Sequence, residues 1–232
     1  MSSNSPRRYA ASLFPQLSGR HRFGTFAQDY GGPVAFRILS RNPAWLEWLV
    51  IQNTNAYEVG FTAAWDGFRG AFWKNRMPDT EKPLMAFLEV DAIKSVYLHR
   101  HKKPELISPD NWNVDFRFME RPHARWVQMD FFYDYSTNVY DYRTNVALYP
   151  KWQEFRRTRQ PKTIIFWGQD DIFFTPEGGE AYLKDFAQGP DAPARFRPLR
   201  GGGLPGLYRE QHHPLLRRAG FPEVAAGPTD SR

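Results

Sequence analysis

The chain has 232 residues, of which 41% are hydrophobic, 16% aromatic and 24% charged, so it can bury a sizeable core and is neither collagen-like, coiled-coil nor wholly disordered. It has no cysteine, no window near the roughly 18 to 20 apolar residues of a membrane span, and no secretory signal, so we expect a cytoplasmic protein without a membrane partner. Of the net charge of +6, residues 1–22 carry +4, residues 189–232 carry +3 and the middle carries −1, which argues against a nucleic-acid partner.

The first elements predicted along the chain are a strand, a tight turn and a helix. The apolar run 23–28 favours the strand, residues 29–33 favour the turn, and the apolar stretch 34–40 favours the helix. A second apolar run at 45–52 favours a buried strand, because it ends in turn-prone residues.

The remaining elements are a long helical stretch and a further strand. The period between residues 84 and 97 is helical, and Ser108-Pro109 has the pattern that starts a helix. The β-branched and aromatic run 163–167 favours a strand, after which Thr175-Pro176 starts another helix. This order predicts an α/β protein whose sheet is interrupted by an inserted helical cap.

Composition and element order together predict five segments. From residue 189 onward Pro, Gly and Arg dominate without apolar periodicity, which favours disorder. The segments are an irregular leader (1–22), a first core part with the tight turn (23–58), a helical cap (59–149), a second core part (150–188) and a disordered tail (189–232).

The sequence Ala27-Gln28-Asp29-Tyr30-Gly31-Gly32 places a carboxylate at the apex of the predicted strand-to-helix turn. Small residues stand two before and two and three after it, as in a nucleophile elbow, where the apex residue is strained and neighbouring backbone passes close by. An ordinary turn in which Asp caps the helix has the same pattern, so this alternative stays open on the local sequence alone.

The downstream sequence Phe166-Trp167-Gly168-Gln169-Asp170-Asp171 ends a strand in an acidic loop. With the Asp29 turn and the helical segment between them, the chain resembles, from about residue 23 to residue 186, α/β-hydrolases of the epoxide hydrolase and haloalkane dehalogenase type. The resemblance implies a partial α/β-hydrolase sheet, with Asp29 as nucleophile and Asp171, rather than Asp170, as the acid that orients a histidine. It also implies the backbone N–H of Tyr30 as half of the oxyanion hole, a small hydrophobic substrate and no cofactor. The absence of cysteine and the spacing of the histidines argue against a metal site.

The choice between epoxide and halide chemistry depends on what stabilises the leaving group. Haloalkane dehalogenases generally carry Trp after the nucleophile, whereas this chain has Tyr30 there, and epoxide hydrolases protonate the ring oxygen with lid tyrosines. The resemblance therefore favours an epoxide, with an alkyl halide as the alternative. The candidate substrate-binding tyrosines are Tyr97, Tyr133, Tyr135 and Tyr142, each of which has an ordinary packing role as its alternative.

The histidine that the resemblance implies, in a Gly-His segment roughly thirty residues after the acid, is absent from that position. The observed sequence RFRPLRGGGLPGLY nearly matches a family-like ending read in a shifted frame, so we predict a frameshift near codon 190, with the Gly-His codons under Pro198 and Leu199. His212 and His213 come too late to replace the base. We therefore expect a truncated hydrolase with about three strands that is inactive or impaired, or else a non-catalytic remnant.

One internal repeat falls in the predicted cap. Tyr133–Val139 reads YDYSTNV and Tyr140–Val146 reads YDYRTNV, so the two heptads differ only at Ser136 and Arg143. A solenoid would need several longer units, and the sequence therefore indicates a single local duplication.

Overall fold

A four-stranded parallel sheet organises the protein, whose computed structural model describes residues 22–136 and 144–199. The strands lie in chain order, each paired with the next, and are β1 (Phe23–Gln28), β2 (Leu46–Gln52), β3 (Lys162–Gly168) and β4 (Ala194–Leu199). Helices connect the strands, because two parallel strands need a crossover connection between them. The predicted α/β class is confirmed.

Helices follow β1 and β3 and fill the long segment between β2 and β3. They are α1 (Gly31–Leu39), α2 (Pro78–Glu81), α3 (Val90–Leu98), α4 (Asp110–Met119), α5 (Ala124–Asp134), α6 (Tyr149–Arg159) and α7 (Pro176–Glu180). Short 3-10 and π-helical turns join them, among them Ala63–Trp65, Phe68–Phe72, Lys82–Leu88 and Ala181–Asp185. Within residues 22–136 and 144–199, no helix has both the length and the apolar composition that a membrane crossing demands.

Strand β4 contradicts two predictions. The chain was expected to be disordered from residue 189 onward, and it was expected to keep about three strands. Ala194 is buried and Phe196 packs on the core, while Arg195 and Arg197 alternate with them. This period of two was hidden by the Arg-rich composition. Pro198 is compatible with the strand, because β4 lies at an edge of the described sheet, where a missing backbone N–H is tolerated.

The register of β4 also bears on the predicted frameshift. Its pairing with β3 runs without interruption from Ala194, opposite Thr163, to Leu199, opposite Gly168. Residues translated out of frame from codon 190 would have no reason to alternate in phase with a neighbouring strand. The paired register of β4 therefore disfavours a frame change as early as codon 190.

The main core lies between the sheet and helices α1 and α6. Parallel strands buried on both faces carry nearly continuous apolar runs, which explains the sequences of β2 and β3. The fully buried strand side chains on this face are Ala27, Leu49, Ile51, Ile165 and Trp167, and those on the opposite face are Val50, Ile164 and Phe166.

A buried charge cluster ties α6 to the turn after α7. Arg156, with no exposed surface, lies against the rings of Phe36, Tyr57 and Tyr182 and donates from Nε to Asp185 Oδ2 at 2.8 Å. Arg157 donates to the other carboxylate oxygen at 2.9 Å, and the Tyr57 hydroxyl also bonds to Asp185. Because these charged groups are shielded from water, each is stabilised by its ion-pair and hydrogen-bond partners instead.

We expect Arg156→Met to lower the free energy of unfolding by about 3 kcal/mol, because it leaves the Asp185 carboxylate buried with only Arg157 to balance its charge. Urea unfolding followed by circular dichroism measures the change. The matched control is Arg159→Met, on the exposed side of the same helix. Equal unfolding free energies for the two variants would contradict the role of the buried pair.

Candidate active site

Asp29 occupies the turn between β1 and α1 in a strained backbone conformation. Its φ is +41°, in the left-handed region that residues other than glycine rarely adopt. Its N–H donates to the carbonyl of Asn53 at 3.3 Å, and its own carbonyl accepts from Thr54 Oγ1 at 2.6 Å and from the N–H of Gly32 at 3.0 Å. The predicted strain at the apex is confirmed, and the residues after β2 hold it in place.

The expectation that the positions around the apex must be small, because neighbouring backbone or side chains pass close by, holds at two of the three positions. A Cβ on Gly32 would lie 2.0 Å from Thr54 Oγ1, and Ala27 is fully buried. A Cβ on Gly31 would meet nothing within 4 Å, so close approach does not require glycine there. The tight spot is therefore the contact between the start of α1 and the residues after β2.

Asn53, directly after β2, links the turn at Asp29 to the acidic loop. Its Nδ2 donates to Asp171 Oδ2 at 2.9 Å, and its Oδ1 accepts from the N–H of Gly168 at 2.9 Å. Its φ is +37°, which asparagine tolerates better than most residues. Sequence reasoning treated Asn53 only as a turn residue. The signal that could have found it is its position, since carboxyl ends of adjacent parallel strands meet at one edge of a sheet.

Asp171, rather than Asp170, lies in the hydrogen-bond network of the site. Its Oδ1 accepts from the N–H groups of Phe173 and Phe174 at 2.7 and 2.8 Å, whereas Asp170 makes a surface ion pair with Arg100 at 3.4 Å. In the part of the chain that the structure describes, none of the three donors to Asp171 is a histidine. Within residues 22–136 and 144–199, no three His, Cys, Asp or Glu side chains are grouped so that they could hold a metal ion.

The two carboxyl groups interact electrostatically. Burial and, after it, the charge of Asp171 together raise the pKa of Asp29 to about 7, against hydrogen bonds from the Tyr135 hydroxyl and the Tyr30 backbone N–H, which lower it. Burial also raises the pKa of Asp171 to about 6, against the hydrogen bonds from Phe173, Phe174 and Asn53. Asp29 therefore changes its charge near neutral pH, where a carboxyl group is ordinarily fully ionised.

An aromatic wall from the end of α5 faces Asp29. The Tyr135 hydroxyl lies 3.4 Å from Asp29 Oδ1, and its ring, 1% exposed, packs 5.2 Å from that of Trp65. Tyr30, next to the carboxylate, stacks on Phe131 of α5 with ring centroids 4.8 Å apart. The inserted helical segment thus covers the turn with aromatic side chains.

Of the three predicted substrate-binding tyrosines that the structure describes, Tyr135 is the one that lies beside Asp29. Tyr97 instead donates its hydroxyl to Asp115 of α4. Tyr133 packs its ring edge-on against Phe72, and Tyr142 lies outside the described residues. Sequence could supply the candidates, but only the tertiary packing selects among them.

Comparison with known proteins places this site in a recognised fold. No family model matches the chain. A curated protein of Saccharomyces cerevisiae, named an uncharacterized hydrolase, is 31% identical over 168 residues, which are 71% of this chain and 55% of the relative. The chain thus spans about half the length of the curated relative it matches.

Solved structures show the same architecture. A haloalkane dehalogenase from Agrobacterium tumefaciens C58 superposes with a TM-score of 0.64 at 14% identity, covering 91% of this chain and 69% of that one. A variant of the meta-cleavage product hydrolase from Pseudomonas fluorescens IP01 gives 0.62 at 10% identity, covering 95% and 72%. At such low identity the likeness shows the fold alone: the chain has the α/β-hydrolase fold.

We expect Asp171→Asn to lower the pKa of Asp29, because it removes the like charge that disfavours ionisation of Asp29 while keeping a side chain of the same shape. Titration of the Asp29 carboxyl carbon by ¹³C NMR measures the shift. Asp170→Asn is the matched control, since Asp170 pairs with Arg100 at the surface. A larger shift in the control than in Asp171→Asn would contradict the interaction between the two carboxyls.

Proposed function

We propose that the protein is a hydrolase-type enzyme in which the Asp29 carboxylate attacks an electrophilic carbon of a small hydrophobic molecule and forms an alkyl ester. The observation that carries the proposal is the position of Asp29: strained at the end of β1, partly accessible, and faced by the Tyr135 hydroxyl and an aromatic wall. The α/β-hydrolase fold and the yeast relative named a hydrolase support it.

Two groups beside Asp29 would assist the reaction. The Tyr30 backbone N–H already bonds to the Asp29 carboxylate, so it can stabilise negative charge on that carboxyl oxygen when the ester is hydrolysed. Asp171, held by Asn53 and two backbone N–H groups, would orient a histidine that activates water. Each role follows from a hydrogen bond or charge beside the proposed nucleophile.

An epoxide is the favoured substrate class, because its ring opening needs a proton donor. In the step, an Asp29 oxygen bonds to a ring carbon, the ring C–O bond breaks, and the Tyr135 hydroxyl gives its proton to the departing oxygen. The proton is then regained from water. The Tyr135 hydroxyl lies 3.4 Å from Asp29 Oδ1, and this proximity supports the proposed role.

The alternative substrate class is an alkyl halide, whose leaving halide needs hydrogen-bond donors rather than a proton. The haloalkane dehalogenases among the structural neighbours keep this alternative open. Trp65, which packs on Tyr135, and Trp73, which packs on Trp65, do not favour it, however. Trp65 donates its indole N–H to the carbonyl of Phe173 at 2.9 Å, and Trp73 donates to that of Phe132 at 3.0 Å.

The proposal includes impaired hydrolysis of the ester. Support comes from the missing Gly-His segment and from Asp171, whose described donors are Asn53 and two backbone N–H groups. Without a base to activate water, the Asp29 ester would persist after it forms. The enzyme would then behave as a single-turnover acceptor of alkyl groups.

We expect a covalent adduct on Asp29 after incubation with a terminal epoxide, with an added mass equal to that of the whole epoxide. Because the carboxylate is the nucleophile and its pKa is about 7, the labelling rate should rise about tenfold from pH 6 to pH 8. Intact-mass spectrometry gives the rate, and peptide mapping gives the site.

Asp29→Asn is the control for this experiment and should show no adduct. Asp170→Asn, which removes a nearby surface carboxylate, should be labelled like the unchanged protein. No adduct at any pH would favour a non-catalytic remnant, and rapid turnover without adduct would contradict the impaired hydrolysis.

We expect Tyr135→Phe to separate the two substrate classes. It removes the proton donor and keeps the ring, so labelling by an epoxide should fall about tenfold or more, whereas labelling by an alkyl halide should change far less. The ratio of the two labelling rates is the readout. An equal fall with both reagents would indicate a packing role for the hydroxyl instead.

A further inference from the structure

Two consecutive residues after β2 bind both backbone groups of Asp29. The pairing of β1 with β2 ends at Gln28, opposite Gln52. Beyond that pair, the Asn53 carbonyl accepts from the N–H of Asp29 at 3.3 Å, and the Thr54 hydroxyl donates to the carbonyl of Asp29 at 2.6 Å. A side-chain hydroxyl therefore continues the pairing past the strand ends, at a residue whose strained backbone needs support from its surroundings.

The position of Thr54 is itself fixed by close contacts. Thr54 has no exposed surface, and its hydroxyl oxygen and methyl carbon lie 2.0 and 2.6 Å from the place that a Cβ on Gly32 would take. Its carbonyl accepts from the Tyr182 hydroxyl at 2.9 Å, and the Tyr182 ring centroid lies 4.7 Å from the guanidinium carbon of Arg156. Because both its backbone and its side chain are held, Thr54 presents its hydroxyl at one defined point.

The same hydroxyl interacts with the tyrosine that faces Asp29. Burial raises the pKa of Tyr135 well above its usual value and the charge of Asp29 raises it further, whereas a hydrogen bond with the Thr54 side chain lowers it. A hydrogen bond that lowers this pKa stabilises the phenolate, which is the form left when a tyrosine gives up its proton. The Tyr135 hydroxyl also lies 3.4 Å from Asp29 Oδ1, so Thr54 neighbours both the backbone of the turn and the phenol beside its carboxylate.

The side chains of Asn53 and Thr54 serve different parts of the site. Asn53 bonds through its amide to Asp171 and to the N–H of Gly168, on the side of the acidic loop. Thr54 bonds instead on the side of Asp29. A valine has nearly the same shape as threonine, so the close packing of Thr54 against α1 does not by itself call for a hydroxyl at this position.

We propose that Thr54 is a positioning residue, whose hydroxyl holds the carbonyl of Asp29 and keeps the Tyr135 hydroxyl beside the Asp29 carboxylate. The first contact sets where the carboxylate oxygens lie, and the second sets where the proton of the tyrosine lies. Thr54 acts through these two residues and not on the substrate itself. The catalytic meaning of this role rests on the proposed function, whereas the arrangement of the three residues does not.

Thr54→Val removes the hydroxyl and leaves the carbonyl of Asp29 its bond from the N–H of Gly32 at 3.0 Å, so we expect the fold to persist. Since one hydrogen bond is worth roughly a factor of five, labelling of Asp29 by an alkyl halide, which needs no proton donor, should slow about fivefold. Labelling by a terminal epoxide depends on Tyr135 as well and should slow about 25-fold. Thr54→Ser keeps the hydroxyl and should stay within about twofold of the unchanged protein with both reagents.

Thr163→Val is the matched control. Thr163 is 2% exposed and donates its hydroxyl to the carbonyl of Pro161 at 2.8 Å, near the start of β3 and thus at the opposite end of that strand from the acidic loop. This variant should be labelled like the unchanged protein, and near-ultraviolet circular dichroism should show the same aromatic packing in all variants. Equal slowing with the epoxide and the halide, or a failure of Thr54→Ser to restore labelling, would overturn the proposal.

Titration of the Asp29 carboxyl carbon by ¹³C NMR tests the role of Thr54 without any covalent chemistry. We expect the pKa of Asp29 to rise in Thr54→Val, because the hydrogen bond from Tyr135 that lowers it loses its support. Thr54→Ser and Thr163→Val should leave that pKa unchanged. A protein that forms no adduct but shows this rise would refute the proposed function and keep the role of Thr54. An unchanged pKa in Thr54→Val would refute the role of Thr54, whether or not an adduct forms.

Discussion

The site depends on hydrogen bonds that hold the carboxyl ends of neighbouring parallel strands together. Asn53, after β2, accepts from the N–H of Asp29 through its backbone and bonds through its side chain to Asp171 and to the N–H of Gly168. Asn53 therefore joins the turns that follow β1, β2 and β3 through hydrogen bonds of its backbone and its side chain. Asn53 and Asp29 both have positive φ, and the hydrogen bond between their backbones joins the two strained residues. A disturbance at Asn53 would displace both carboxyl groups at once.

The local part of this arrangement could be predicted from the sequence. The Asp29 turn and the acidic loop at Asp171 lie beside strands whose apolar runs are continuous, so element order and turn chemistry sufficed. The role of Asn53 was not predicted, because it depends on tertiary contacts and the surrounding sequence is that of an ordinary turn. Strand β4 was not predicted, because alternating arginines give its segment the composition of a disordered tail. Its apolar residues form a strand only because β3 offers a partner edge.

The tyrosines show a different limit of sequence reasoning. Their number in the inserted segment suggested proton donors, but a hydroxyl serves a site only if the backbone delivers it there. Tyr135 reaches Asp29 because it follows α5 directly, whereas the hydroxyl of Tyr97 is hydrogen-bonded to Asp115 within the inserted segment. The tandem heptads made this choice harder, since near-identical copies carry the same tyrosines. Tyr135 is buried beside Asp29, and burial is a property that sequence alone does not give.

The raised pKa values of the carboxyl pair link the site to the stability of the whole fold. Because both Asp29, at about 7, and Asp171, at about 6, lie above their ordinary value of 3.8, the folded chain binds more protons than the unfolded chain between about pH 4 and pH 7. Their contribution to stability is complete in acid and is lost as the pH rises through those values. Conversion of Asp29 to an uncharged ester would end its share of this proton uptake. An alkylated molecule would accordingly retain its fold further into the alkaline range than an unmodified one.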